Sequence, residues 1–356
     1  MRNRDVLDLR NPQVRQNVMQ ARINMPLPGA PIPTYLKEPG KPMELNPLKR
    51  YAQPFTLTTE PEIVEVLPGR SSDPIPLPIS NRGSYEIKYS FMTISVNGIE
   101  LPSFDPTNYL VEVLLLDPSK RPFLMNEPIN ARTFCSRFGG TPFVWPESFF
   151  MNVEDSGKAL FAMFRVIETG ADIPDPDVPI QIRFALHGTR YYFMQAPQKI
   201  QDQIMRRCTR FPRTFPYFWT PQKDIVLEAL NDPSGDDYKE VDIRVTDEAD
   251  AEIFKISKAS IGVDLDPIPF VTVNPPFSIT FDEKAEDRPL MTGPIHSTLL
   301  GNAEFPFLLF EPLFLEGNSQ LRVGVQNLLT IRQRVWLTFA GRKLLHGERR
   351  EPSKPL

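Results

Sequence analysis

Apolar and polar positions along most of this chain alternate with the period of a strand, not of a helix. Tyr85, Ile87, Tyr89 and Phe91 alternate with Glu86, Lys88 and Ser90, the pattern of a half-buried strand. The phase then flips to Met92, Ile94 and Val96, which predicts a bulge at the flip, and Asn97-Gly98 follows at once as a hairpin turn. Ile180, Ile182, Phe184 and Leu186 share one face of a later strand, with Gln181, Arg183, Ala185 and His187 on the other. Leu321, Val323 and Val325, then Val335, Leu337 and Phe339, repeat the pattern near the end. Proline punctuates these runs every 8–15 residues, which fits short antiparallel strands and excludes a βαβ arrangement.

Two segments carry a helical period. Pro197–Arg207 begins with Pro at the first turn and ends on basic residues, as helix termini prefer. Residues 4–22 offer Val6, Leu7, Leu9, Val14 and Val18 for a helix broken at Pro12. From Met25 the chain meets Pro26, Pro28, Pro31, Pro33, Pro39, Pro42 and Pro47, so this stretch is extended and builds no core of its own. Its apolar residues, Leu27, Ile32, Tyr35 and Leu36 among them, suit an arm laid along a surface, because stiff proline segments lose little entropy on docking.

The chain also aligns with itself at a spacing of about 160 residues. Phe55 with Ile63-Val64 answers Phe218 with Ile225-Val226, Ile94-Ser95 answers Ile256-Ser257, and Leu116-Asp117 answers Phe281-Asp282. Arg121-Pro-Phe-Leu-Met answers Arg288-Pro-Leu-Met with one residue deleted. Pro142–Met151 and Pro306–Leu315 both read P-F-x-x-x-E-x-x-F-[ML], and Ile182–Gly188 answers Val335–Gly341. An insertion near residues 168–179 of the first copy accounts for the shrinking offset.

The fold class expected is therefore all-β: two tandem, internally repeated antiparallel β-sandwich (jelly-roll-like) domains of about eight strands each, with an extended Pro-rich N-terminal arm. The boundaries expected are an arm at 1–50, a first sandwich at 51–195, a connector with a short helix at 196–215, a second sandwich at 216–345 and a basic tail at 346–356.

Composition sharpens this outline. Proline is 39 of 356 residues, about twice ordinary usage, and glycine only 18. The chain carries −4 overall, yet residues 1–50 carry +5, 197–215 carry +4 and 341–356 carry +3, leaving −16 on the two bodies. Basic arms lying on acidic surfaces of the same or a neighbouring copy explain this better than nucleic acid, since the arms lack a dense Lys/Arg block. No apolar run is long enough for a transmembrane helix and the first residues form no secretory signal, so no membrane partner is expected and a reducing, cytosolic origin is.

Candidate chemistry is sparse. His187, His296 and His346 have no partner at ligand spacing, and Cys135 and Cys208 form no metal or redox pair. His296 reads as a loop histidine whose counterpart is Asn130. Glu147 and Glu311 stand once per copy inside apolar blocks, where each would cap a loop or pair with Arg121 or Arg288. Asp232–Asp237 lacks the ligand pattern of a calcium loop and reads as a solvated turn. No catalytic residue, cofactor, metal or small-molecule ligand is expected. The run Phe211–Trp219, whose five aromatics Phe211, Phe215, Tyr217, Phe218 and Trp219 are interleaved with Pro and Arg, suits an inter-domain or inter-subunit seam, with Phe211, Phe215, Tyr217 and Trp219 as its contact candidates. With Leu27, Ile32, Tyr35 and Leu36 of the arm, these are the candidate interface residues.

Gly301–Glu316 (GNAEFPFLLFEPLFLE), Val325–Leu328 and the closing Phe339–Arg342 (FAGR) resemble a β-sandwich module of tailed-bacteriophage virion structural proteins. The first copy departs from the pattern at Ser148, at Met163-Phe164-Arg165 and at His187–Arg190. The resemblance implies a non-enzymatic assembly protein, made in the host cytoplasm and found in the virion. Its partners would be itself and other virion proteins, at the capsid surface, collar or tail. A carbohydrate-binding adhesin module is the alternative, which exposed aromatic pairs on one sandwich edge would favour.

Overall fold

The computed structural model describes residues 51–345 except 80–82, 138–141, 152–159, 193–195, 209–213, 265–269, 284–287 and 291–292. The arm with Leu27, Ile32, Tyr35 and Leu36, the tail with His346, and Phe211 lie outside the described residues.

The first half contains β1 (Ala52–Thr58), β2 (Val64–Val66), β3 (Ile75–Leu77), β4 (Ser84–Val96), β5 (Ile99–Glu100), β6 (Val111–Leu116), β7 (Ile129–Asn130), helix α1 (Ala131–Phe134), β8 (Phe143–Met151), β9 (Leu160–Val166) and β10 (Ile180–Tyr191). Helix α2 (Gln198–Cys208) connects it to the second half. There follow β11 (Thr214–Trp219), β12 (Ile225–Leu227), β13 (Tyr238–Arg244), β14 (Ala249–Asp264), β15 (Phe270–Val273), β16 (Phe277–Glu283), β17 (Arg288–Pro289), β18 (Ile295–His296), β19 (Phe307–Leu315), β20 (Gln320–Asn327) and β21 (Arg332–Leu345).

All strand pairs named here are antiparallel. One sheet of the first half runs β1–β10–β4–β5, with β2 also on β10 and β8 also on β4; the other runs β3–β9–β6–β7. The second half repeats both: β11–β21–β14–β15 with β12 and β19, and β13–β20–β16–β17 with β18. Strands β1 and β2 form one interrupted strand, and β5 is a hairpin return. Each half then has the eight-strand order of a jelly roll, one-eight-three-six in one sheet and two-seven-four-five in the other.

Alternation builds the cores. Ile180, Ile182, Phe184 and Leu186 point into the first core beside Leu57, Val64, Ile87 and Phe164. Val335, Leu337 and Phe339 point into the second with Ile253, Ile279, Leu321, Val323 and Val325. The expected hairpin at Asn97-Gly98 forms, both residues at positive φ (50° and 78°), which a two-residue turn between twisted strands requires.

Hydrogen-bond register gives the true alignment of the two copies. Gly188 faces Ile87 and Gly341 faces Ile253, each beside a bulge, between Ile87 and Tyr89 and between Ile253 and Lys255. The bulge therefore sits about three residues before the apolar flip. The reason is a close approach: a Cβ on Gly188 would lie 1.9 Å from the Glu86 carbonyl, and one on Gly341 1.9 Å from that of Glu252. This register matches Ile94 to Ser260 rather than Ile256, Tyr217 to Phe55, Ile225 to Val64, and Phe281 to Leu115. The Pro142/Pro306 block and the Gly188/Gly341 block align as the sequence implies, down to the four residues of β8 and β19 that leave the ladder opposite the bulge.

Candidate functional site: the seam and its open counterpart

Tyr51 onward forms one compact unit, so the two halves share a seam. Its centre is a ring cluster. Phe218 of β11 points away from its own core and meets Phe134 edge-on at 4.8 Å, Trp145 at 5.4 Å and Phe143 at 6.2 Å between centroids. All four rings are buried. Strand alternation explains the split: Tyr217 and Trp219 face the second core while Phe218 faces the first, whose apolar cluster it joins with Ala303 and Ala340. Phe215 is half-buried against that same first cluster. Within the aromatic run, the ring that crosses the seam between the halves is Phe218, while Tyr217 and Trp219 pack on the second core. The signal was available, since a strand with aromatics on successive positions must bury both faces.

Polar groups close the rest of the seam. The Asn126 side chain donates to the Thr220 carbonyl at 2.7 Å and accepts the Thr220 N–H at 2.9 Å. Thr133 and Thr338 hydroxyls bond at 2.6 Å, and Ser257 donates to the Thr133 carbonyl at 2.8 Å. The Phe218 N–H reaches the Leu124 carbonyl at 2.9 Å, and Lys255 Nζ donates to the Val144 carbonyl at 2.6 Å. Glu112, 2% exposed, accepts the Trp336 indole N–H on Oε1 at 2.9 Å and the Arg165 guanidinium on Oε2 at 2.6 Å. Burial raises its pKa, with Arg165 opposing. A cavity of about 200 Å³ lies beside it, lined in part by Glu127, Lys223, Asp224 and Trp336.

The other expected groups fall as follows. His296 caps the turn after β18, its Nδ1 accepting the Thr298 N–H at 3.3 Å, as Asn130 Oδ1 accepts the Arg132 N–H at 2.9 Å in the first half. The histidine is thus a cap inherited with the repeat. His187 is half-buried against Thr56 and Phe91, and burial lowers its pKa. Glu147 does not cap a loop through backbone N–H groups: its Oε1 accepts the Thr214 hydroxyl at 2.6 Å across the seam, while Glu311 is exposed. Arg121 is exposed. Asp232 accepts both the N–H and the hydroxyl of Ser234 in an exposed turn. Cys135 is buried, which pushes its thiol up. Among the described residues no cluster of three or more His, Cys, Asp or Glu could hold a metal, and no helix is long and apolar enough to cross a membrane.

The seam buries Phe134, Phe143 and Trp145 of the first half and leaves Val144 48% exposed; the matching region of the second half is more open. Strand β8 packs against β11 and β21; its counterpart β19 carries Leu308 at 63% exposure, Phe314 at 48% and Phe310 fully exposed. Leu299 and Phe305 join them as exposed apolar residues of the same region, a patch of the kind that marks interaction surfaces.

Fold and seam together define a tandem jelly-roll body. No protein-family model matches the chain, and no curated protein matches it. Among solved structures it is similar to the major capsid protein P2 of bacteriophage PM2, at 10% identity and a TM-score of 0.33 over 83% of this chain and 99% of that one. It is also similar to a protein of Sulfolobus turreted icosahedral virus (10% identity, TM-score 0.20, 80% of this chain and 60% of that one) and of infectious bursal disease virus (8%, 0.18, 83% and 72%).

Proposed function

We propose that the chain is a non-enzymatic virion structural protein that associates with copies of itself and with other virion proteins through its sandwich faces and N-terminal arm. The observation that carries this is the open edge of the second half. A folded chain that stays alone rarely leaves Leu299, Leu308, Phe310 and Phe314 in water together. The duplicated body suits the role, because each half presents the same set of faces to neighbours. The resemblance of residues 301–342 to tailed-phage modules is in keeping with it, with synthesis in the host cytoplasm.

The exposed aromatics of β19 also meet the condition set for a glycan-binding adhesin. They are Phe side chains interleaved with Leu308, on a strand whose first-half counterpart packs against β11 and β21, which fits a protein surface better.

Light scattering after size exclusion, on the full chain and on a chain lacking residues 1–50, tests the reading. A discrete oligomer is expected, weakened without the arm. A chain that stays monomeric at every concentration and binds glycans on an array overturns it. Labelled antibody against the chain, imaged on intact particles, then separates capsid surface, collar and tail.

A further inference from the structure

Resting on that assembly reading, we propose that β19 and the turn before it seat residues 23–36 from the N-terminal arm of a second copy. The patch sets the terms of the contact. Among the described residues β19 pairs only with β14, so its other edge is free. Residues 309–312 leave that ladder opposite the bulge between Ile253 and Lys255, and there Phe310, Glu311 and Pro312 are exposed. Leu308 and Phe314 flank them on the same strand, and Leu299 and Phe305 come from the turn before it. The inward residues Leu309 and Leu313 already pack on the second core, so the fold itself makes no use of the outward set. Exposed Glu311 and Glu316 stand among and beside these rings. A fitting partner is apolar, lies flat on phenylalanine rings and is basic at its flanks.

The arm's sequence meets those terms. Residues 23–36 (INMPLPGAPIPTYL) carry no charge, and they set Pro26, Pro28, Pro31 and Pro33 among Met25, Leu27, Ile32, Tyr35 and Leu36. Prolines this dense dictate an extended backbone with little entropy to lose, and aromatic surfaces are what such segments dock on. Arg22 and Lys37 bracket the stretch, within an arm of net +5 that faces bodies of net −16. Residues 37–50 join it to Tyr51, and an extended Pro-rich chain covers ~3.1 Å per residue, so the segment can reach roughly 40 Å from the body that carries it. Seated on its own body, the arm would seal the surface on which the assembly reading rests. Passed to a neighbour, it buries two apolar surfaces at once, and each copy gives one arm and receives one. Such a contact between two different surfaces closes into a ring or continues as an array.

Photo-crosslinking on the full chain tests this. Tyr35 is replaced by p-benzoylphenylalanine, the sample is irradiated, and products are separated on a denaturing gel and mapped by mass spectrometry. Covalent dimers are expected, with position 35 joined to residues 299–314. Leu308→Glu with Phe310→Glu, both at exposed positions, is expected to abolish those dimers while circular dichroism and the melting temperature stay as in the parent. The glutamate pair should weaken the oligomer as much as removal of residues 1–50 does, and the two changes together should weaken it no further, because both remove one contact. Cross-links from position 35 to 299–314 that stay within one chain would overturn the exchange between copies. Cross-links to another surface, or none, would overturn the patch as the arm's seat, as would losses from the two changes that add; in each case an oligomeric parent leaves the assembly reading standing. A parent chain that never oligomerises would remove both readings.

Discussion

Phe218→Ala is the sharpest test of the seam. The ring is 0% exposed and meets three rings of the first half, so truncation removes its burial and leaves a cavity neither half can collapse around alone. Such a truncation costs about 3–5 kcal/mol. Unfolding entropy of ~2.1 cal/mol/K per residue gives roughly 0.6 kcal/mol/K for the ~300 residues from Tyr51 onward if they melt together, so a loss of ~4 kcal/mol lowers the midpoint by about 6 °C. Scanning calorimetry at fixed protein concentration reads this directly. If the seam couples the halves, the parent melts in one transition, and the variant melts lower or splits into two. A variant within about 1 °C of the parent would limit the ring to below about 0.6 kcal/mol and refute the claim that Phe218 holds the halves together.

Gly188→Ala and Gly341→Ala should each cost at least the ~1–3 kcal/mol of overpacking, read as a lowered urea midpoint, because a methyl group meets a backbone carbonyl that cannot move aside. Removing the Asn126 side chain should cost about 1–3 kcal/mol, since it strands the Thr220 N–H and carbonyl; Asn126→Ala in urea unfolding checks it. Glu112 has a raised pKa when folded, so between its unfolded value of 4.5 and that raised value the folded chain holds a proton the unfolded chain has lost. Stability must fall as pH rises through that window, and Glu112→Gln should flatten the slope while keeping an acceptor for Trp336. Lys258 is lowered to about 8 by burial, so the folded chain binds fewer protons between about pH 8 and 10.5 and gains stability as pH rises there; Lys258→Met should remove that gain.

Much of the fold was legible because alternation is a local signal. Ile180–Leu186 and Val335–Phe339 announced which side of each strand meets a core, and proline spacing announced short antiparallel strands. The repeat was legible where both copies keep the same steric demand. Gly188 and Gly341 each admit a carbonyl, and the Pro-Phe blocks each leave the ladder opposite a bulge, so those matches hold to the residue. Ile94 with Ile256 failed by four positions because an apolar residue recurs every second place along any strand, and nothing local counts the offset. Only the hydrogen-bond ladder counts it.

The sequence by itself determined the strands, the duplication and the turn at Asn97-Gly98, since periodicity, glycine and proline act over a few residues. Tertiary structure alone decided where the apolar surplus goes. Phe134, which ends α1, and Leu299, in the turn between β18 and β19, occupy matched positions by the paired bridges Phe91–Ser136 and Ser257–Gly301, yet one is sealed and the other is in water. The difference comes from a contact more than eighty residues away, Phe218 on the face of the other half. Burial is a property of the neighbour that arrives: among the described residues Phe218 seals Phe134, and Leu299 stays open.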